Sequence, residues 1–100
     1  GVPIELIDTH GAVSAQVAEA MVGGVIARSN ASAGLAITGV AGPDGGSVQK
    51  PVGTVFIAWQ VPGHGVRSER FQFHGDRDAI RRQSVAAALA ELVSLAVHPV

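Results

Sequence analysis

One hundred residues with a formal net charge of −1 and no cysteine make a single domain, and they exclude both disulfides and thiolate metal sites. Such a charge balance provides no field for long-range capture of nucleic acid or of acidic membrane surfaces, and no apolar run approaches the ~20 residues a membrane span needs. With 47 % apolar residues and only 4 % aromatic ones, the chain has material for one core, held by closely packed small side chains.

The opening Gly1-Val2-Pro3 reads as the interior of a longer chain. Residues 3–8 suit the first turns of a short helix, with Pro3 where a missing N–H costs nothing, and Thr9-His10-Gly11-Ala12 breaks it. Ser14 is a good N-cap. Val17, Met21 and Val25 then recur at i, i+4 and i+8, predicting an amphipathic helix over 15–29 that ends around Ser29-Asn30.

Residues 35–38 form a short apolar strand. Residues 52–61 form a longer one, apolar on both faces and therefore suited to a central, buried position. Between them lies a loop of about a dozen residues, punctuated by Gly39, Gly42, Pro43, Gly45, Gly46 and Pro51. A hairpin would use two to five residues, so a loop of this length with clean apolar flanks calls for a functional explanation. Pro62-Gly63-His64-Gly65 is a turn, and residues 66–73 should return as the second arm of an antiparallel hairpin. Gly75-Asp76 opens the last helix, with Asp76 as N-cap, a stripe of Val85, Leu89, Leu92, Val93 and Ala96, and Pro99 as its stop. This order predicts a layered α/β architecture.

The glycines after the first strand invite a nucleotide reading, but the familiar templates fail. Gly-x-Gly-x-x-Gly needs another spacing and a helix directly after it, and the only lysine, Lys50, precedes Pro51 rather than completing a phosphate-binding Gly-Lys-Ser/Thr. Two possibilities stand: backbone N–H groups forming an anion-binding concavity, or an ordered turn that needs positive φ. Thr38, at the carboxyl end of its strand, sits where ligand crevices of open α/β sheets lie, though threonine hydroxyls often cap nearby backbone instead. Arg77, Arg81 and Ser84 share one helical face. Arginines in the first turns oppose the helix dipole by a few tenths of a kcal/mol each, a sign that an anionic ligand reverses; local pairing with Asp76 or Asp78 is the alternative. His10, His64, His74 and His98 show no metal spacing, and no serine sits in a Gly-x-Ser-x-Gly elbow.

Four blocks taken together resemble the C-terminal domain of the CinA family. They are Leu6-Ile7-Asp8-Thr9-His10-Gly11-Ala12-Val13-Ser14, Ala36-Ile37-Thr38-Gly39-Val40-Ala41-Gly42-Pro43-Asp44-Gly45-Gly46, Lys50-Pro51-Val52-Gly53-Thr54-Val55-Phe56-Ile57-Ala58 and Phe73-His74-Gly75-Asp76-Arg77. The resemblance implies a three-layer α/β/α domain with a mixed sheet, of which this chain is one part, and a cytoplasmic amidase of pyridine-nucleotide salvage. Such an enzyme hydrolyses the carboxamide of nicotinamide mononucleotide to nicotinic acid mononucleotide and ammonia. It implies no cofactor and no metal, and a small-molecule nucleotide as partner; nucleic acid and membrane are not expected from the charge balance and apolar runs above, and a homo-oligomer is expected. The family's serine motif, Glu-Ser-x-Thr-Gly-Gly, and its Ser-Tyr-x-x-x-x-Lys segment do not occur here, so the nucleophile is expected upstream of Gly1. Carried onto this sequence, the family's pocket loop matches Thr38, Gly39, Gly42, Gly45 and Gly46. Its phosphate-side arginine matches Arg77, with Arg81 and Lys50 as further candidates for substrate binding. The alternative is a non-catalytic nucleotide-binding or assembly module. A third possibility is structural: the portion expected upstream, if missing, leaves sheet edges and a helix face uncovered, which favours pairing with another chain.

Overall fold

Two helices enclose one sheet, each covering a different face, and the middle strand touches both. The computed structural model describes residues 2–97. In chain order it contains α1 (Ile4–His10), α2 (Ala15–Ser29), β1 (Gly34–Gly39), β2 (Thr54–Val61), β3 (Gly65–Gln72) and α3 (Arg77–Val97). His98 and the helix stop expected at Pro99 lie outside the described residues. No helix among those described is long and apolar enough to cross a membrane.

The boundaries follow local chemistry. The Ser14 hydroxyl accepts the N–H of Val17 at 3.2 Å and donates to the Gly11 carbonyl at 2.9 Å, which starts α2 and closes the turn from α1. Asn30 ends α2 in the left-handed conformation, which asparagine tolerates better than most residues. At α3 the Asp76 carboxylate accepts the N–H of Ala79 at 2.8 Å, as the expected N-cap does.

The strand order is β1-β2-β3, antiparallel throughout. The parallel component of the expected mixed sheet is therefore not among the described residues. The physical reason is the connection: residues 40–53 turn the chain back without the crossover helix that a parallel pairing requires.

Alternation along β2 divides the core in two. Val55, Ile57, Trp59 and Val61 face α3, where they pack with Ile80, Ala88 and Leu95. Phe56 and Ala58 face α2, against Ala18 and Val22, joined by Ala36 from β1. A strand buried on both faces is what its unbroken apolar run predicts. Trp59, 1 % exposed, also donates its indole N–H to the Ala88 carbonyl at 2.9 Å, so its one polar atom is satisfied inside the core.

One expectation about α3 is corrected. Its sheet-facing residues are Ile80, Ser84, Ala88 and Leu95, whereas Val85, Leu89 and Val93 are 51 %, 51 % and 60 % exposed. The helix carries two apolar stripes. Of the expected stripe Leu92 does pack against the sheet-side core, but Val85, Leu89 and Val93 do not meet the described sheet, because against the bulky Trp59 and Ile57 the small Ser84 and Ala88 allow the closer approach.

Candidate active site

Residues 40–53 form an ordered loop at the end of β1. Its base is closed by Val40 N–H to Thr54 O at 2.9 Å and Gly53 N–H to Val40 O at 2.7 Å, and its tip by Ser47 N–H to Lys50 O at 2.9 Å. Positive φ is required where the chain folds back on itself. At Gly42 (φ +82°) a Cβ would lie 2.7 Å from a methyl of Val52, and at Gly53 (φ +94°) it would lie 2.1 Å from the Phe73 carbonyl oxygen. Gly45 and Gly46 also have positive φ. The conformational reason for these glycines is thus met in full, and an anion role would come in addition to it.

Three cationic side chains fasten the loop through its backbone. Lys50 Nζ donates to His10 O at 3.0 Å, at the end of α1, and also to Val13 O, in the turn between α1 and α2. From β3, Arg70 donates to Gln49 O at 2.6 Å, and from α3 Arg77 donates to Gly42 O at 3.2 Å. The Lys50 ammonium and the Arg70 guanidinium each lie 5.7 Å from the Phe56 ring centroid, within cation–π range. Sequence reasoning missed Arg70. Its signal was available only through the hairpin register, which sets Arg70 opposite Phe56.

The candidate residues divide between the two sides of the sheet. Thr38 donates its hydroxyl to Ala12 O at 2.9 Å, on the side that carries α2, and Lys50 reaches the same α1–α2 turn. Gly39 and Arg81 line a cleft of about 230 Å³ on the α3 side, together with Ile37, Ala41, Val55 and Ser84. Arg77 lies at that end of α3, tied to the loop at Gly42. The structure therefore brings Gly39, Gly42, Arg77 and Arg81 together, with Thr38 and Lys50 acting across the strand end on the backbone that shapes the loop. The apolar lining at Ile37, Ala41 and Val55 was not foreseen, since only tertiary packing sets the start of α3 over the end of β1.

The charges around the cleft are uneven. Among the described residues the ion pairs are those of Arg67 with Glu69, at 3.8 Å, and with Glu91, at 3.2 Å. The pairings considered for α3, of Asp76 or Asp78 with its arginines, are not formed. Asp76 is occupied in capping the helix, and Arg77, Arg81 and Arg82 lack carboxylate partners there. The described residues hold no cluster of three or more His, Asp or Glu placed to bind a metal ion.

The family model of the CinA C-terminal domain matches residues 1–96. The chain belongs to the CinA C-terminal domain family. It is 58 % identical over 95 residues to the nicotinamide-nucleotide amidohydrolase PncC of Pseudomonas putida, a match covering 95 % of this chain and 59 % of that protein. It is 46 % identical over 98 residues to a putative competence-damage inducible protein of Symbiobacterium thermophilum, over 90 % of this chain and 23 % of the other. The crystal structure of the competence/damage inducible protein CihA from Agrobacterium tumefaciens superposes with a TM-score of 0.89 at 41 % identity, over 95 % of this chain and 58 % of that one. The chain thus spans about three-fifths of PncC. For this CinA C-terminal domain the cleft at Gly39 and Arg81 is the candidate site, built from the same loop and helix start that the sequence blocks single out.

Proposed function

We propose that this chain forms the substrate-binding wall of a nicotinamide-nucleotide amidase, which hydrolyses the carboxamide of nicotinamide mononucleotide to nicotinic acid mononucleotide and ammonia. The observation that carries the reading is Arg81 on an apolar cleft, with Arg77 tied to the adjoining loop at Gly42 and neither paired with a carboxylate among the described residues, in a chain so similar to an amidohydrolase of that name. A nucleotide of this kind has an aromatic ring and a phosphate. The apolar lining suits the ring, and Arg77 and Arg81 suit the phosphate, where a guanidinium can donate two parallel hydrogen bonds.

Cleavage of an amide needs an activated nucleophile and donors for the developing oxyanion. The sequence contains no motif for the first. In this reading the donors for substrate oxygens are loop N–H groups between Ala41 and Gly46, Pro43 having none and that of Val40 being taken by Thr54 O, and Thr38 and Lys50 hold the loop in place. Turnover then requires the serine motif from elsewhere, in a longer chain or in a partner.

Titration calorimetry of this chain with nicotinamide mononucleotide, run beside an ammonia-release assay, tests the proposal. Binding without turnover is expected, with affinity lowered about tenfold in Arg77→Ala, the equivalent of roughly 1.4 kcal/mol. No binding, or an affinity indifferent to Arg77, would refute the phosphate assignment, and ammonia release by the isolated chain would refute the division of labour. The lack of a nucleophile motif favours a second reading, a non-catalytic nucleotide-binding or assembly module. A longer protein containing this chain and the serine motif that binds the nucleotide yet releases no ammonia would establish that one instead.

A further inference from the structure

Ser84 shares a helical face with Arg77 and Arg81 but carries no charge to offer an anion. That face runs from solvent into the core: Arg77 and Arg81 are exposed, whereas Ser84 is 5 % exposed. At the rise of an α-helix, Arg77 and Ser84 stand about 10 Å apart along α3, comparable with the length of a mononucleotide from its phosphate to the substituent on its ring. A ligand held by its phosphate at Arg77 and lying along α3 brings its ring end to Ser84.

The hydrogen-bonding capacity at that end is one-sided. Of the eight described residues that line the cleft, six are Gly, Ala, Val or Ile, and the other two are Arg81 and Ser84. A guanidinium donates hydrogen bonds and accepts none, so Ser84 Oγ is the one side-chain acceptor among those lining residues. Its own proton is already committed, because the hydroxyl donates to the Ile80 carbonyl, one turn back, at 2.7 Å. Lone pairs are what the oxygen has left to offer. None of the eight is His, Lys, Asp or Glu, so no base among them activates the hydroxyl as a nucleophile. Ser84 is equipped to bind, not to attack.

We infer that Ser84 determines specificity for a carboxamide over a carboxylate, by accepting an N–H of the substrate amide at the inner end of the cleft. This role rests on the amidase reading of the cleft and names the group that recognises the amide. A primary amide has N–H donors for Ser84 Oγ. The carboxylate left by hydrolysis has none. It sets acceptor against acceptor and brings a negative charge among Ile37, Val55 and Ile80, where burial without a partner is costly. For the hydroxyl to turn and donate to it, the bond to Ile80 O must break. A site that hydrogen-bonds a substrate N–H rejects the analogue lacking it far more strongly than an apolar pocket rejects a small change of shape. The same asymmetry favours release of the acid once it has formed.

Titration calorimetry of this chain with nicotinamide mononucleotide and, separately, with nicotinic acid mononucleotide tests the role, with far-ultraviolet dichroism confirming that each variant folds. The amide is expected to bind about tenfold tighter than the acid, the scale of one hydrogen bond at a buried site. Ser84→Ala, a replacement that suits a helix, should bring the two affinities within about twofold of each other, chiefly by weakening the amide. Ser84→Thr keeps a hydroxyl able to bond the carbonyl one turn back and should retain the preference. Arg77→Ala should weaken both nucleotides alike and leave their ratio unchanged, because both carry the phosphate. A parent chain without preference, or a preference that survives Ser84→Ala, overturns the role of Ser84 and leaves the amidase reading standing. Affinities that fall together in Ser84→Ala, as a merely structural residue would make them do, overturn it as well. Binding of neither nucleotide overturns both readings.

Discussion

Lys50 donates from its ammonium to the His10 carbonyl at 3.0 Å across 40 positions of sequence, and the same nitrogen also serves Val13 O. A lysine that the resemblance offers for substrate contact is here the tie between the glycine-rich loop and the turn that precedes α2. Replacing it leaves two carbonyls without their donor, one at the end of α1, where a cation also favours the helix dipole.

Lys50→Met should therefore destabilise the protein by about 1–3 kcal/mol, the cost of leaving partly buried acceptors unsatisfied. Urea denaturation followed by the single tryptophan checks this. An unchanged midpoint would mean that the tie carries no stability.

The two neighbouring arginines of α3 should behave differently toward ligand. Arg81 lines the cleft with Gly39 and Ser84, where Arg82 does not; Arg82 borders a neighbouring depression with Asp78, Arg81 and Val85. Arg81→Met should lower affinity for nicotinamide mononucleotide about tenfold, and Arg82→Met by less than about twofold, a split of roughly 1 kcal/mol. Equal losses would point to the general positive field rather than to a site.

Glycine replacements should have opposite signs at two positions. Gly53→Ala places a methyl 2.1 Å from the Phe73 carbonyl at φ +94°, a conflict with backbone that relaxation cannot absorb; a loss of more than about 3 kcal/mol or failure to fold is expected. Gly23→Ala lies inside α2 with nothing within 4 Å of the new methyl. It should stabilise by about 0.5–1 kcal/mol. Thermal unfolding of the two variants against the parent decides both.

Trp59→Phe removes the indole N–H that reaches Ala88 O at 2.9 Å and leaves a void against α3. Together these should cost about 2–4 kcal/mol. Guanidinium unfolding monitored by far-ultraviolet dichroism measures it, and a loss below about 1 kcal/mol would show that α3 can settle into the space.

Much of this was legible in the sequence because it is local. Ser14 and Asp76 cap helices whose limits their side chains define, and the unbroken apolar run of β2 announces a strand buried on both faces. The glycine spacing announces a loop that needs positive φ, and the helical spacing of Arg77 and Arg81 announces a shared face. The resemblance carried by Thr38 to Gly46 and Lys50 to Ala58 led to the family for the same reason, since it rests on residue identities at short separations.

Only the tertiary structure decided which of two apolar stripes on α3 meets the sheet. Helical periodicity marks both, and the choice went to Ser84 and Ala88 because small side chains let the helix approach Trp59, leaving Val85 and Leu89 outside. It likewise decided that Lys50 and Thr38 bond to backbone of the α1–α2 turn while Arg81 borders the cleft. Those contacts join residues 26 to 40 positions apart. Sequence spacing carries no information about such pairs until the strands have paired and the helices have closed over them.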